Sequence, residues 1–512
     1  MKLALPSDIS KIDAFATAEL HISEEALIRR AGEAVAKCVA GRLSQHEAVL
    51  VLCGGGNNGA DGYAAALSLL HRGYCVRAVD VFDKGQRSEG GRAVLAAYKE
   101  ALGDPLSFKE AASMRPDAVI DAMFGTGFSG TLPERAVSAA EWVRACSARV
   151  FAVDIPLGVD AEWGEVSQGA LCAEETVVLS FWKRGLLSYP ARERLGALSL
   201  ADIGLDIPAV HAAFPALEDL VDDGFVLSHM PPRAENSHKG SFGRACLFVG
   251  SKEYRGAALL SAEGALRGGV GLLTVVAEKA VTDSVLLSLP EALCKNIKPF
   301  ARMKEKDISN ALEIAKKANA VLVGCGCGAS RALGAFVRAL LSTDGAPLVL
   351  DADAINALAE DRELSLAALK DARREVVLTP HPLELSRLSG VDIKEIQKKR
   401  MRFASQFAQA HGVTLLLKGA GSVIAGKGGE VFINTTGSSA LAKGGTGDVL
   451  AGFVTALLSE GVAPVSALRI GAYLHGRAAD VLQKEYTAYG VLPHELPLQM
   501  AKELSKIIKS KE

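Results

Sequence analysis

The first 210 residues alternate between short apolar runs and longer stretches in which apolar residues recur at helical spacing. The apolar runs predict strands, at 48–53, 76–82, 117–123 and 148–153. The stretches between them predict helices, at 23–43, 91–102 and 134–146, and a further helix that follows the glycine-rich turn after Cys53 and ends at His71. Strands that alternate with helices indicate a doubly wound parallel sheet, the arrangement of a Rossmann-like α/β domain.

The alternation stops between residues 212 and 241, where prolines and the polar run ENSHKGS replace it. It then resumes, with a helix predicted over 257–268 and strands predicted at 244–249, 272–277, 320–323, 348–350 and 376–378. We therefore expect two α/β domains, one in residues 1–215 and one in residues 226–512.

Composition narrows the class of protein. Hydrophobic residues make up 49% of the chain, charged residues 23%, and the net charge is −2, as in a soluble globular protein that binds no nucleic acid. The apolar start is interrupted at Pro6, and the most apolar stretch, 268–277, is too short for a bilayer, so we expect no signal peptide and no membrane partner. Nine scattered cysteines without a CxxC pair favour a cytoplasmic location. Cys325 and Cys327 lack nearby His or Cys ligands, which argues against a metal pair.

The strongest local signal is a glycine-rich turn before an apolar helix, Lys443-Gly-Gly-Thr-Gly-Asp448. Free amides at a helix N-terminus bind anions, and glycines let a phosphate approach closely; this predicts phosphate contacts at Gly444, Gly445, Thr446 and Gly447. Asp448 would then accept a proton from a hydroxyl that attacks phosphorus. The alternative is a plain helix start, with Asp448 placed there by the helix dipole.

The turn resembles the GxGD signature of ribokinase-like small-molecule kinases. Together with segments 239–277, 350–359 (LDADAINALA), 379–388 (TPHPLELSRL) and 416–425 (LLKGAGSVIA), it is similar to the NAD(P)H-hydrate dehydratase family. This resemblance implies a ribokinase-like domain that uses ADP or ATP, with Mg²⁺, to dehydrate NADH and NADPH hydrates. It implies nucleotide contacts at Lys418, Gly419, Ala420, Gly421, Ser422 and Gly447. It implies hydrate contacts at Ala257, Gly326, His381 and Asp448, with Asp448 as the catalytic base.

Some positions of this second domain leave alternatives open. Asp351 and Asp353 follow a strand, and they are either groups that hold Mg²⁺-bound water or solvated loop acids. His381 lies between two prolines and is either a ligand contact or a rigid turn residue. Departures from the family pattern are Lys443 for Thr, Leu383 for Gly, and the two cysteines of a GPGxG-like loop.

Three more glycine-containing turns follow strands of the first domain, CGGGNNGADG (53–62), DAMFGTGFSG (121–130) and DIPLGVD (154–160). Because strand ends of a parallel sheet share one edge, these turns should converge. With LIRRAGEAVA (27–36) and LADIGLD (200–206) they resemble the NAD(P)H-hydrate epimerase family. The resemblance implies hydrate contacts at Asn57, Asn58, Gly59, Ala60, Asp61, Gly125, Thr126, Gly127, Phe128, Ser129, Gly130, Thr131 and Asp154.

The same resemblance implies K⁺ binding by Asn58 and Asp121, and makes Asp154 the acid–base group at C6 of the nicotinamide. The alternative for Asp154 is a structural cap. Ala60 replaces a family glycine, and Leu157 replaces the serine that supplies a K⁺ ligand. Since Leu157 offers only its backbone carbonyl, we expect weakened K⁺ binding.

Two rival functions are a vitamin or sugar kinase and a non-catalytic scaffold built on the first domain. The N-terminal domain and the KGAGS and HPxE segments argue against the kinase. The retained polar residues and the lack of a basic patch argue against an RNA-associated scaffold. By analogy with the family, we expect a homo-oligomer.

Overall fold

The computed structural model describes residues 2–82, 87–215 and 217–510. The chain divides into two compact units, 1–219 and 220–512. Among the described residues, no helix has the length and apolar character needed to cross a bilayer.

The strands of the first unit are β1 (Lys2–Ala4), β2 (Ala48–Cys53), β3 (Cys75–Asp80), β4 (Leu106–Ser107), β5 (Ala118–Ala122), β6 (Arg149–Val153), β7 (Glu175–Leu179), β8 (Trp182–Lys183), β9 (Ala197–Ala201) and β10 (Glu218–Asp219). The helices are α1 (Pro6–Ala18), α2 (Glu24–Ala40), α3 (Asn57–His71), α4 (Glu89–Leu102), α5 (Phe108–Ala111), α6 (Glu134–Cys146) and α7 (Pro208–Ala213).

Seven strands of this unit form a parallel sheet in the order β4-β3-β2-β5-β6-β7-β9. Successive side chains of a strand point to opposite faces, so Val49 and Val51 pack with helices α2, α3 and α4, whereas Leu50 and Leu52 pack with α6. Helices on both faces confirm the predicted doubly wound α/β fold. Strands β4, β7 and β9 extend the sheet beyond the four predicted strands.

The strands of the second unit are β11 (Arg244–Phe248), β12 (Leu272–Ala277), β13 (Leu293–Asn296), β14 (Ala320–Val323), β15 (Leu348–Leu350), β16 (Val376–Leu378), β17 (Thr414–Leu417), β18 (Val423–Ala425) and β19 (Val431–Ile433). The helices are α8 (Asp223–His229), α9 (Arg255–Arg267), α10 (Lys279–Ser288), α11 (Glu305–Ala315), α12 (Arg331–Leu341), α13 (Asp353–Glu360), α14 (Arg362–Lys370), α15 (Pro382–Ser389), α16 (Ile393–Lys398), α17 (Arg400–His411), α18 (Thr446–Ser459), α19 (Pro464–Gly490, interrupted at Thr487) and α20 (Leu496–Lys509).

The second sheet has nine strands in the order β13-β12-β11-β14-β15-β16-β17-β18-β19. The first seven strands in this order, which end with β17, are parallel to one another. Strands β18 and β19 add an antiparallel edge. Helices α9, α18, α19 and α20 share one apolar core with the sheet. The loops that follow β14, β15, β16 and β17 therefore leave the same edge of the sheet, where α/β folds bind ligands.

Candidate active sites

The first candidate site is a cavity of about 530 Å³ at the carboxyl ends of the strands of unit 1. Six of the residues implied by the resemblance line it, namely Asn57, Asn58, Asp61, Gly125, Thr126 and Asp154. Helices α1 and α2 close the opposite wall, with Asp13, Glu24 and Leu27 among the lining residues. The three predicted turns therefore do meet at one edge of the sheet.

The other implied residues of these turns lie outside the cavity wall. Gly59 packs so closely on Gly54 that a Cβ would come within 2.1 Å of its carbonyl oxygen. Ala60 is helical and fully buried, so this position does not need a glycine. The second turn continues as a solvent-facing loop in which Phe128 stacks on Phe124, and the loop contains Gly127, Ser129, Gly130 and Thr131.

Asp154 forms a buried ion pair with a lysine that the sequence analysis did not single out. The carboxylate accepts hydrogen bonds from Lys183 Nζ and, at 2.9 Å, from the amide of Leu179. Lys183 is 1% exposed and also donates to the carbonyl oxygen of Leu179, at 2.8 Å. Asp154 has a left-handed backbone (φ 62°), a strained conformation for a residue other than glycine. The ion pair fixes the carboxylate at the cavity wall.

Two further carboxyl groups of the cavity hold protons more tightly than a solvated aspartate does. Burial raises the pKa of Asp13 to about 6; the charge of Lys183 opposes this rise and the charge of Asp154 adds to it. Burial, followed by the charges of Asp154 and Asp13, raises the pKa of Asp61 well above its usual value. The cavity thus combines one ion-paired carboxylate with two groups able to donate a proton.

Of the two residues implied in K⁺ binding, Asn58 lines the cavity and Asp121 lies in β5. Asp121 is fully buried, and its oxygens accept hydrogen bonds from the amides of Leu157, at 2.6 Å, and Met123, at 3.2 Å. Asn58 donates to the carbonyl oxygen of Phe124, at 2.9 Å. The side chain of Leu157 packs into the apolar cluster under the sheet, and its carbonyl accepts from Leu171, at 3.0 Å. Leu157 therefore offers a cation no hydroxyl and only a carbonyl that is already hydrogen-bonded.

The second candidate site lies at the ends of β14 to β17 in unit 2. Lys418, directly after β17, forms an ion pair of 2.7 Å with Asp351, directly after β15. A Cβ on Gly447 would lie 3.2 Å from Lys418 Nζ, so the KGAGS segment and the glycine turn meet at this ion pair. Burial lowers the pKa of Lys418, but the charges of Asp351 and Glu384 outweigh it and raise that pKa to about 12. Lys418 is thus a permanent cation beside the turn.

Asp448 lies in the first turn of α18, near this ion pair. Burial, and after it the negative charge of Asp351, raises the pKa of Asp448 to about 7, although Cys325 and Lys418 lower it. A carboxylate with a pKa close to neutrality is well suited to accept a proton at neutral pH.

Two neighbouring glycines of the turn, Gly444 and Gly445, have different surroundings. Gly445 has φ 102° and caps α18, and a Cβ there would lie 2.6 Å from Cδ1 of Leu260. Gly444 has no atom within 4 Å of its Cβ position.

We expect Gly445→Ala to destabilise unit 2 by about 1–3 kcal/mol, because the left-handed backbone and the contact with Leu260 both resist a methyl group. Gly444→Ala is the matched control and should leave the unfolding temperature unchanged. Scanning calorimetry of the two variants checks this. Equal unfolding temperatures for Gly445→Ala and the native chain would contradict it.

The implied hydrate contacts lie in the loops around this site. Gly326 is left-handed (φ 64°), and a Cβ on it would lie 2.7 Å from the Cβ of Ala257, so these two positions adjoin. His381 caps α15, because Nδ1 accepts from the amide of Glu384 at 3.1 Å, while 45% of its side chain is exposed. Leu383 lies in the first turn of α15, so this position does not need the glycine of the family pattern. The remaining residues of KGAGS form the turn between β17 and β18, namely Gly419, Ala420, Gly421 and Ser422.

The two acids after β15 differ in their surroundings. Asp351 is 1% exposed and ion-paired, so the interpretation of both as solvated loop acids is wrong for Asp351. Asp353 begins α13 and accepts a hydrogen bond from the amide of Gly328, at 2.8 Å. Between them, Ala352 has φ 46° and ψ −113°, a conformation that residues with a Cβ rarely adopt.

Sequence analysis missed two buried residues of this site. Glu384 binds the backbone amide of His381 at 2.8 Å; burial raises its pKa, but the hydrogen bonds from His381 and the charge of Lys418 outweigh burial and lower it. His475 of α19 lies beneath the turn, and burial lowers its pKa to about 4 although it faces the backbone of Thr446. Glu384 belongs to the HPxE segment, which gave a local signal, whereas His475 had none.

The ammonium of Lys443 is hydrogen-bonded to the end of α19. Its Nζ donates to the carbonyl oxygens of Tyr489, at 2.7 Å, and Val491. The residue that replaces the family threonine thus ties the end of α19 to the glycine turn.

Two family models match the chain. The NAD(P)H-hydrate dehydratase model matches residues 245–502, and the model of the YjeF-related protein N-terminus matches residues 24–185. A bifunctional NAD(P)H-hydrate repair enzyme Nnr from Moorella thermoacetica is 32% identical over 500 residues, with 94% of this chain and 92% of the relative covered. The enzyme of the same name from Escherichia coli is 31% identical over 495 residues, with 96% and 91% covered.

Among solved structures, an ADP/ATP-dependent NAD(P)H-hydrate dehydratase from Bacillus subtilis, co-crystallised with ATP/Mg²⁺, is 32% identical and has a TM-score of 0.48. It covers 57% of this chain, and 98% of its own length is covered. The two family models and the near full-length relatives identify this chain as a member of the bifunctional NAD(P)H-hydrate repair enzyme family.

Proposed function

We propose that unit 2 dehydrates the hydrates of NADH and NADPH at the expense of ADP or ATP, through the residues around the 444–448 turn. The observation that carries the proposal is the meeting of Lys418, Gly447 and Asp448 at one sheet edge. The free amides of α18 and the ammonium of Lys418 would bind the terminal phosphates. Asp351 and Asp353 would hold water bound to Mg²⁺, an ion that neutralises charge on phosphate oxygens.

The chemistry needs one base and one anion site. Hydroxide is a poor leaving group, so the C6 hydroxyl of the hydrate is first phosphorylated, and Asp448 takes its proton as the oxygen attacks the terminal phosphorus. The lone pair of ring nitrogen N1 then expels phosphate, and loss of the C5 proton restores the dihydropyridine. The sum is hydrate plus ATP giving NAD(P)H, ADP, hydrogen phosphate and one proton.

The decisive experiment is to incubate synthetic hydrate with the full chain and either ADP or ATP. Phosphate release and recovery of the reduced-nicotinamide absorbance should appear together in a one-to-one ratio. A vitamin or sugar kinase would release a stable phosphorylated product and no inorganic phosphate. Nucleotide consumption without recovery of absorbance would therefore reject the dehydratase assignment.

Unit 1 would epimerise the hydrate at C6 in the 530 Å³ cavity. Epimerisation of a hemiaminal requires that a proton be moved, and Asp154 would act as the base, held in position by Lys183. Asp13 and Asp61, with their raised pKa values, would supply the proton. The R epimer should convert to the S epimer without nucleotide. A filter-binding assay with RNA, expected to be negative, tests the rival scaffold role.

We expect epimerisation to respond weakly to K⁺, because position 157 supplies no hydroxyl and its carbonyl already accepts from Leu171. Leu157→Ser should introduce K⁺ activation, measured as the rate in KCl relative to NaCl at equal ionic strength. Removing this buried side chain costs about 2–5 kcal/mol, so unfolding temperatures in both salts serve as the control. Strong K⁺ activation of the native chain would contradict the expectation.

A further inference from the structure

Unit 2 contains a thiol that the proposed dehydration does not use. Cys325 lies in the loop after β14 and is fully buried. Its Sγ lies 3.7 Å from Oδ2 of Asp351. The Cys325 sulfur and one carboxylate oxygen each from Asp351 and Asp448 all lie within 4.8 Å of one another.

These three atoms have the chemistry of a site for a thiophilic cation. A thiolate and two carboxylate oxygens are ligands of Zn²⁺ and of the softer Cd²⁺, whereas Mg²⁺ takes oxygen ligands alone. With Zn–S of about 2.3 Å and Zn–O of about 2.0–2.2 Å, tetrahedral ligand atoms lie about 3.5 Å apart. The observed separations therefore need side-chain shifts of about 1 Å or less.

The ammonium of Lys418 binds a different oxygen of Asp351 from the one that faces Cys325. Lys418 Nζ binds Oδ1 of Asp351, whereas Cys325 faces Oδ2. The second thiol of the loop points elsewhere, since Cys327 Sγ donates to the carbonyl oxygen of Phe248, at 3.2 Å. The cluster therefore contains one thiol, and the other serves as an internal control.

We propose that Cys325, Asp351 and Asp448 form a binding site for a thiophilic divalent cation, namely Zn²⁺ or Cd²⁺. Binding forms one metal–sulfur and two metal–oxygen bonds and releases to water the Cys325 thiol proton, together with any proton that the Asp448 carboxyl holds, with no change in oxidation state. Water completes the tetrahedron. The cation occupies the Asp448 carboxylate, so it blocks that group as a proton acceptor. The binding itself does not rest on the proposed dehydratase function.

The test is a Cd²⁺ titration of the nucleotide-free full chain, followed by the ultraviolet thiolate-to-cadmium charge-transfer band. The native chain should bind one Cd²⁺ at this site. Cys325→Ala should lose the band and weaken binding by at least about tenfold, the smaller end of the loss caused by removing an outer-shell partner. Cys327→Ala, which removes the other buried thiol of the same loop, should keep both the band and the affinity.

Cys325→Ser, which keeps the size of the side chain, replaces the alanine variant if that variant fails to fold. A chelator competition with Zn²⁺ provides a second measurement that does not depend on the absorbance of the other cysteines. Equal Cd²⁺ affinity in the native chain and the Cys325 variant would overturn the proposal. Equal loss in the Cys325 and Cys327 variants would overturn it as well.

Discussion

Replacing Asp448 by asparagine should slow nucleotide-dependent dehydration by a factor of about 10²–10⁴, the usual contribution of a general base. The amide keeps the shape of the side chain but cannot take the hydroxyl proton. Hydrate and nucleotide should still bind, because the amides of the glycine turn and Lys418 are unchanged. Single-turnover recovery of nicotinamide absorbance measures the rate, and calorimetric titration with nucleotide measures binding.

Asp283→Asn is the control for this variant, since Asp283 is an exposed acid that pairs only with Lys279 of the same helix in the described structure. The raised pKa of Asp448, about 7, adds a pH signature. The group is protonated below that pH and free to accept a proton above it. The native kcat/KM should therefore rise with pH through about 7, and the variant should lack this rise. Undiminished activity in Asp448→Asn would end its assignment as the base.

Replacing Asp154 by asparagine should slow epimerisation by a factor of about 10²–10⁴, as for the Asp448 variant, and should also destabilise unit 1. The amide cannot act as the base, and it leaves the buried ammonium of Lys183 without its carboxylate partner. Breaking a buried ion pair from one side costs about 3–5 kcal/mol. Chromatographic separation of the S and R hydrates follows the activity, and scanning calorimetry follows the unfolding.

The double variant Asp154→Asn, Lys183→Met separates the two effects. It removes the unpaired charge, so much of the lost stability should return while epimerisation stays absent. If the double variant recovers epimerisation, Asp154 is a structural group and not the acid–base residue.

The features predicted from sequence are those whose cause is local. The alternation of apolar runs and helical periodicity predicted the doubly wound sheet, because it reflects burial on both faces. The glycine turn at 444–447 was predicted as a helix start because the residues that shape the turn are adjacent in the chain. Strand β7 was missed because no helix separates it from β6, so the alternation of strands and helices that marked the other strands is absent there.

The missed site residues depend on partners far away in the chain. Lys183 is buried only because Asp154, 29 residues earlier, neutralises it, and a lone lysine in an apolar run usually lies at the surface. Asp13 lies on α1, which no motif marks, and it meets the cavity only once that helix packs against the sheet edge. His475 faces Thr446 from the middle of a long helix. Such proximity follows from tertiary packing and leaves no trace in residue spacing.

The strained backbone at Ala352 lowers the stability of unit 2, and it also holds in place an acid that the proposed reaction uses. Ala352 has a φ of 46°, a backbone conformation that glycine adopts readily and alanine does not. This strain lowers the free energy of unfolding by about 1–3 kcal/mol. The residue lies between the two acids that follow β15. Directed evolution for heat resistance alone should therefore accumulate Ala352→Gly. The more flexible backbone would position Asp351 less precisely against Lys418. The selected variants should therefore unfold at higher temperatures but dehydrate the hydrate more slowly.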